Sequence, residues 1–221
     1  MEELLSILPQ DAVKRLVKKR TILLYQGEVP RSAYIMVRGT AKVYRLNNYG
    51  EEQIVSFRLP GDIFPESWLF GRTSSTLFYY EALEDCEVIA VEKSTLLKLI
   101  SSSPALQKRL LNYFINKHTS LLMQVTALGQ SRAADKLLLM LFYLMFRYGK
   151  ETKPNEFTIS IALTHTMIGS LMGVTRETTS VELGKLRKKG VVSYSSKQLI
   201  VYRQQLERLL GDETITQITL R

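Results

Sequence analysis

Leu163-Thr-His-Thr-Met-Ile-Gly-Ser-Leu-Met-Gly-Val-Thr-Arg-Glu-Thr-Thr-Ser-Val-Glu-Leu-Gly-Lys-Leu-Arg-Lys-Lys-Gly190 is the stretch on which the reading of this chain turns. Ile168, Leu171 and Met172 are spaced to form the inner face of a short helix. Gly173 suits the left-handed position that ends it, because glycine takes positive φ without a steric penalty. Val174 is expected to plug the core between this helix and the next. Thr175 is a good N-cap for a second helix, Thr175–Lys189. Gly190 ends that helix after the Lys188-Lys189 pair, whose charge suits the negative helix end. Val181, Leu183 and Leu186 give it an apolar side, although Val181 and Leu183 cannot both point fully inward. Two short helices joined by a tight glycine-containing turn make a helix-turn-helix. Val191–Tyr194 and Leu199–Tyr202, joined through Ser195-Ser196-Lys197, follow as a hairpin wing.

The first turn of the second helix then presents Arg176 and Glu177 outward, with Ser180 one turn further along. Arginine offers a fork of donors that matches guanine O6 and N7, and a carboxylate accepts from cytosine N4. Val181 either meets a thymine methyl or packs inward. Thr164, His165, Thr166, Thr175, Thr178 and Lys197 are placed for phosphates. An Arg-Glu pair at a helix start is as often a plain solvated turn, so the dipeptide alone decides little. Charge adds to it. The chain of 221 residues carries a net charge of +9, and Thr164–Arg203 holds seven Lys or Arg against two Asp or Glu. A basic balance concentrated there favours a polyanionic partner, double-stranded DNA. The competing reading is a winged helix that binds protein, which salt dependence separates from the first.

Upstream, Ala133–Phe146 reads as an apolar helix and Tyr148 to Glu156 as a polar linker. Ser94 caps a short helix to Ile100, and Ser103-Pro104 opens a long one to about Leu128, since proline is tolerated in a first helical turn. Leu110, Phe114, Leu121, Val125 and Leu128 recur along the long helix, with Leu111, Ile115, His118 and Leu122 beside them. That stripe predicts a homodimer seam. From Arg20 to about Glu92 the chain reads as short strands between turns: Thr21–Tyr25, Ala33–Arg38, Ala41–Leu46, Gln53–Leu59, Leu77–Ala82 and Glu87–Val91. Such regular spacing argues for an antiparallel roll. Leu4 to Leu16 reads as a first, short helix. The fold class is therefore α+β, in three parts: a β-roll over 1–102, a dimerisation helix over 103–130 and a winged helix-turn-helix over 131–221.

Composition excludes several functions. A single cysteine, Cys86, leaves no intrachain disulfide and no cysteine-rich zinc or iron–sulfur site, so no metal is expected. The longest apolar run, Leu137 to Phe146, is too short for a bilayer, and no signal-peptide pattern opens the chain. A cytoplasmic protein with no membrane partner is expected. The side chains form no Ser-His-Asp, Cys-His or paired-carboxylate constellation, and the glycines form no phosphate loop, so a non-catalytic role is expected.

Ile168-Gly169, Gly173-Val174-Thr175-Arg176-Glu177-Thr178, Leu183, Leu186 and the wing together resemble the Crp–Fnr family of bacterial regulators. Pro60-Gly61-Asp62-Ile63-Phe64-Pro65-Glu66 is similar to the family's cassette segment, and Ala82-Leu83-Glu84-Asp85-Cys86-Glu87-Val88 to its following strand. The resemblance implies a cyclic-nucleotide-binding-type roll, a dimer on an inverted-repeat operator, and RNA polymerase as a partner. It also implies where an effector would sit: Glu66, Ser67, Trp68, Arg72, Thr76, Leu77 and Tyr79 of the roll, and Thr126 of the long helix. Two departures argue against cyclic AMP. Thr76-Leu77 stands where cyclic-AMP-responsive members carry an Arg-Ser pair, and a buried phosphate needs a cation. Ala127 stands where a serine is usual. Haem is not expected either, because Cys86 reads as core. Either the roll takes another small effector, or DNA binding is effector-independent. The aromatic residues Trp68, Phe70, Phe78, Tyr79 and Tyr80 line a pocket in the first case and fill the roll in the second. Val181 also stands where many members carry a second base-reading arginine, so one G·C pair per half-site is all that Arg176 and Glu177 imply.

Overall fold

The computed structural model describes residues 12–196 and 198–211, in two compact units, Met1–Leu111 and Asn112–Arg221. In the first unit, β1 (Val13–Val17), β8 (Cys86–Val91), β3 (Ala33–Arg38) and β6 (Ile63–Phe64) form one four-stranded sheet, in that order. A second sheet has the order β2 (Ile22–Leu24), β7 (Tyr79–Ala82), β4 (Ala41–Leu46), β5 (Glu52–Arg58). Every pairing is antiparallel.

Successive side chains of a strand point to opposite faces, and here both faces of β3 and β8 are covered. Tyr34, Met36, Val88 and Ala90 enter the roll, where they meet Leu24, Val43, Phe64 and Tyr80. Ala33, Ile35, Ile89 and Val91 pack on the other side with Trp68, Leu69, Leu96 and Leu106. Those last four belong to α1 (Glu66–Leu69), α2 (Lys93–Ser102) and the start of α3 (Pro104–Leu128). This double burial explains why Ala33–Met36 is a continuous buried run rather than an alternating one.

The second unit holds the remainder of α3, then α4 (Ala133–Tyr148), β9 (Gly149–Lys153), β10 (Glu156–Ile159), α5 (His165–Met172), α6 (Arg176–Lys188), β11 (Val192–Ser195), β12 (Gln198–Tyr202) and α7 (Arg203–Leu210). Its sheet runs β11-β12-β10-β9. Helix α4 is its core, with Leu137, Met140, Leu141, Phe142, Leu144 and Met145 all buried.

The strands Ala33–Arg38 and Ala41–Leu46 and the helix from Pro104 to Leu128 lie where the sequence puts them. Three segments differ. The short helix expected to be capped by Ser94 begins at Lys93 with Glu92 as its cap, the Glu92 carboxylate accepting from the Ser94 N–H. The helix expected over Leu4 to Leu16 ends in a strand: Val13–Val17 pairs with β8, Val13 opposite Ala90, and residues 1–11 lie outside the described residues. Helical spacing of apolar residues loses there to a long-range backbone ladder, which leaves Leu16 exposed. The linker expected from Tyr148 to Glu156 is the tail of α4 followed by β9, which hairpins onto β10 through Asn155 at φ 65°. An edge strand needs backbone pairing, not apolar side chains, so polar Gly149–Lys153 gives no strand signal.

Candidate nucleic-acid interface

Local chemistry fixes α5 and α6. The Thr164 hydroxyl caps α5 by accepting from the Met167 N–H at 3.2 Å, and Gly173 ends that helix in the left-handed region, φ 66° and ψ 37°. Two residues on, the Thr175 hydroxyl caps α6, accepting from the Thr178 N–H at 3.1 Å. The helices cross closely at Gly169. A Cβ there would lie 2.7 Å from the Val174 carbonyl oxygen and 2.9 Å from Thr179 Oγ1, so the crossing admits no side chain.

The inner face of α6 is Thr179, Leu183 and Leu186. Thr179 is fully buried and satisfies its hydroxyl on the Thr175 carbonyl at 2.9 Å. Spacings of four and three keep these residues on one side, and they turn Arg176, Glu177, Ser180 and Val181 to the other. All four are exposed. Val181, at 57% exposure, therefore does not contribute to the apolar side expected of it. Val174, expected to plug the inter-helix core, is only half-buried, whereas Thr179 is fully buried. Thr166 is exposed and Thr178 half-buried, near the two helix starts. Lys197 lies outside the described residues.

The charge of α6 is graded along its axis. Glu177 sits in the first turn, and Lys185, Arg187 and Lys188 in the last, each sign matching the helix dipole. His165, at the start of α5, occupies a place the sequence does not reveal. Its Nδ1 lies 3.0 Å from Ser180 Oγ on α6 and its Nε2 lies 3.2 Å from the Tyr194 hydroxyl on β11. The ring thus ties the start of α5, α6 and the wing together. Only the partial polarity of the surrounding sequence hints at it, since the partners are 15 and 29 residues away.

In the roll, the residues expected at an effector are put to several uses. Glu66 opens α1 and meets the Arg58 guanidinium at 3.1 Å, with both side chains largely buried. Arg58 also donates to Ser56 Oγ at 2.9 Å and lies 5.5 Å from the Tyr80 ring centre. Burial pushes the Tyr80 phenol up to about 12, with Arg58 pulling the other way. Thr76 is buried, and its hydroxyl donates to the Tyr25 carbonyl. Trp68 packs in the outer core, and Lys93 donates to its carbonyl at 2.7 Å. Tyr79 stacks on Tyr44 with ring centres 5.1 Å apart. Ser67, Arg72 and Leu77 are exposed. Of the other aromatics, Tyr80 stacks on Phe64 in the inner core, Phe78 packs against that core, and Phe70 is exposed. Thr126 belongs to the second unit and donates to the Leu122 carbonyl at 2.9 Å. Cys86 is buried and contacts the Thr40 carbonyl; burial pushes its thiol up.

Along α3, Leu110 and Phe114 are half-buried, while Leu121, Val125 and Leu128 are exposed. The most exposed line is Leu111, Ile115, His118, Leu122 and Val125, whose gaps of four and three repeat as a heptad. No helix among the described residues is long and apolar enough to cross a membrane.

Comparison with known proteins bears on both units. The family model of the cyclic nucleotide-binding domain matches residues 14–103, and that of the Crp-like helix-turn-helix domain matches 131–209. The anaerobic regulatory protein of Haemophilus influenzae is 30% identical over 193 residues, which cover 85% of this chain and 72% of that protein. The nitrogen fixation regulation protein FixK of Azorhizobium caulinodans is 26% identical over 178 residues, 80% of this chain and 70% of that one. Among solved structures, FixK2 from Bradyrhizobium japonicum superposes with a TM-score of 0.72 at 24% identity, covering 90% of this chain and 96% of that chain. A cyclic nucleotide-binding domain containing protein from Listeria monocytogenes gives 0.75 at 15% identity over 91% and 95%. With a roll of the cyclic-nucleotide-binding type, a capped helix-turn-helix and relatives of this kind, the chain belongs to the Crp–Fnr family of transcription regulators.

Proposed function

We propose that the protein is a cytoplasmic homodimer that binds double-stranded DNA at an inverted repeat, with α6 of each copy in the major groove and RNA polymerase as its further partner. The observation that carries this reading is the outer face of α6, where Arg176, Glu177, Ser180 and Val181 stand exposed on a helix whose caps and inner face are complete. Arg176 donates to guanine O6 and N7, Glu177 accepts from the paired cytosine, and exposed Val181 contacts a thymine methyl. Thr164, Thr166, Thr175, Thr178 and Lys197 serve phosphates, fixing register without reading sequence. The heptad line on α3 supports a two-stranded seam that sets the spacing of the two reading heads.

Control by cyclic AMP does not fit. The Glu66 carboxylate is bonded to Arg58 within the roll, and the Thr76 hydroxyl is spent on a backbone carbonyl. A cyclic phosphate entering there would displace Arg58 or go without a cation, at a cost set by desolvation. Haem and iron–sulfur chemistry are equally outside this reading, since the chain has a single cysteine, Cys86, and it is buried. Regulation is by another small effector or by none, and the closed Arg58–Glu66 pair favours none.

Selection of bound sequences from a random duplex pool tests the proposal. Wild type should recover an inverted repeat with a G·C pair in each half, and the Arg176→Ala, Glu177→Ala double variant should lose that pair. Recovery of no repeat, with or without added cell extract, would overturn the reading. So would an affinity that barely responds to salt, because roughly six to ten phosphate contacts cost about 10³–10⁵ in affinity between 50 and 200 mM.

A further inference from the structure

The three side chains Ser180, His165 and Tyr194 form a chain of hydrogen bonds from the reading face of α6 through α5 to the wing, at 3.0 and 3.2 Å. A neutral imidazole has one donor nitrogen and one acceptor, so whichever role Tyr194 takes at Nε2 dictates the role left for Ser180 at Nδ1. A phenol is a far stronger acid than an aliphatic alcohol, and so the better donor. With the Tyr194 hydroxyl donating to Nε2, the proton of the ring sits on Nδ1, and Nδ1–H donates to Ser180 Oγ. This leaves the Ser180 hydroxyl hydrogen directed away from His165.

We propose that Tyr194, through the His165 tautomer, fixes Ser180 as a hydrogen-bond donor toward the DNA, making His165 and Tyr194 positioning residues for base choice. The inference rests on α6 being the reading helix. A free serine hydroxyl rotates to donate or accept and tells few bases apart. Held as a donor, Ser180 suits guanine N7 or O6, adenine N7 and thymine O4, and it disfavours cytosine, whose major-groove edge offers only the N4 donor. The same arrangement gives His165 a role other than a phosphate contact: both ring nitrogens are engaged by the protein's own side chains. Ring centres of His165 and Tyr194 are 6.1 Å apart and tilted by 53°, so the bond, not stacking, sets the ring's orientation. Burial pushes the Tyr194 phenol up, with Arg187 pulling it down.

Two measurements on the full chain test the proposal. Nitrogen-15 spectra of the imidazole at pH 8.5, without DNA, should show the Nδ1–H tautomer in wild type and a shift toward Nε2–H in Tyr194→Phe. An Nε2–H tautomer in wild type would overturn the proposal. The second measurement is binding to duplexes that differ only at the base pair facing Ser180. Wild type should discriminate against cytosine about tenfold, and Tyr194→Phe, which removes one oxygen from the wing, should reduce that to about twofold or less. In a Ser180→Ala background Tyr194→Phe should change nothing further at that pair. Unchanged discrimination in Tyr194→Phe, or an equal loss against every duplex, would contradict it and leave a merely structural bond. Failure of wild type to bind any duplex would instead defeat the reading of α6, and the spectra would still decide the tautomer.

Discussion

Glu66 in the roll and Arg176 on α6 are both charged residues at the first position of a helix, yet they sit in opposite circumstances. Glu66 is largely buried, and its carboxylate meets Arg58; Arg176 is exposed. The difference repeats around each. In the roll, Thr76 is buried and bonded to backbone, Lys42 is buried between Glu52 and Glu81, and Phe64 is stacked between Tyr34 and Tyr80. On α6, the caps and the inner face consume Thr175, Thr179, Leu183 and Leu186, and the chemistry left over points outward. Charges taken out of water must find partners within the protein, while charges left in water remain available to another molecule. Substitutions in the first region should therefore be read as stability, and those in the second as binding.

The sharpest way to break this contrast is Glu66→Ala. Removing one member of a buried ion pair leaves the Arg58 charge without its counter-charge, and the expected loss is about 3–5 kcal/mol in urea-induced unfolding. A Glu66→Ala protein as stable as wild type would mean that the roll does not depend on the pair, and the argument for a closed interior would fall with it. The Arg58→Met, Glu66→Leu double variant should recover most of the loss, because a well-packed apolar pair avoids the desolvation cost. Arg176→Ala should show the opposite profile: about 1–3 kcal/mol lost in DNA binding by fluorescence titration, and an unfolding midpoint equal to wild type.

Gly169→Ala probes whether the reading face depends on the helix crossing. The added methyl meets the Val174 carbonyl and Thr179, so α5 and α6 must separate. About 1–3 kcal/mol of stability should be lost, with weaker DNA binding at temperatures where the protein remains folded. Thr175→Ala removes the cap of α6 and should cost about 1 kcal/mol by the same unfolding assay. Smallest of all, Val181→Ala should leave stability within about 0.5 kcal/mol, since the side chain is exposed. A larger loss would show that Val181 packs inward.

What the sequence reveals follows the range of the interactions involved. Gly173, Thr175 and Gly190 act within a turn or two of chain, and the helices they bound are legible for that reason. The long helix and the strands Ala33–Arg38 and Ala41–Leu46 are legible from periodicity and turn residues. Val13–Val17 is not, because its strand exists through pairing with residues 86–90, more than 65 positions away. Gly149–Lys153 is hidden for a different reason: as a polar edge strand it carries no alternation to detect. In the candidate site, the exposed residues of α6 are found by helix geometry alone. The Arg58–Glu66 contact needs β5 brought back beside α1, and the Ser180–His165–Tyr194 chain needs three elements packed together. No local pattern announces either.

The most direct test of the reading head is a two-by-two comparison of wild type and Arg176→Ala on the selected duplex and on one whose G·C pair is replaced by A·T. The loss caused by Arg176→Ala should be about tenfold or more on the first duplex and near zero on the second, because only one contact is removed twice. Equal losses on both would contradict the account. They would make Arg176 a phosphate contact and α6 something other than the helix that reads the operator.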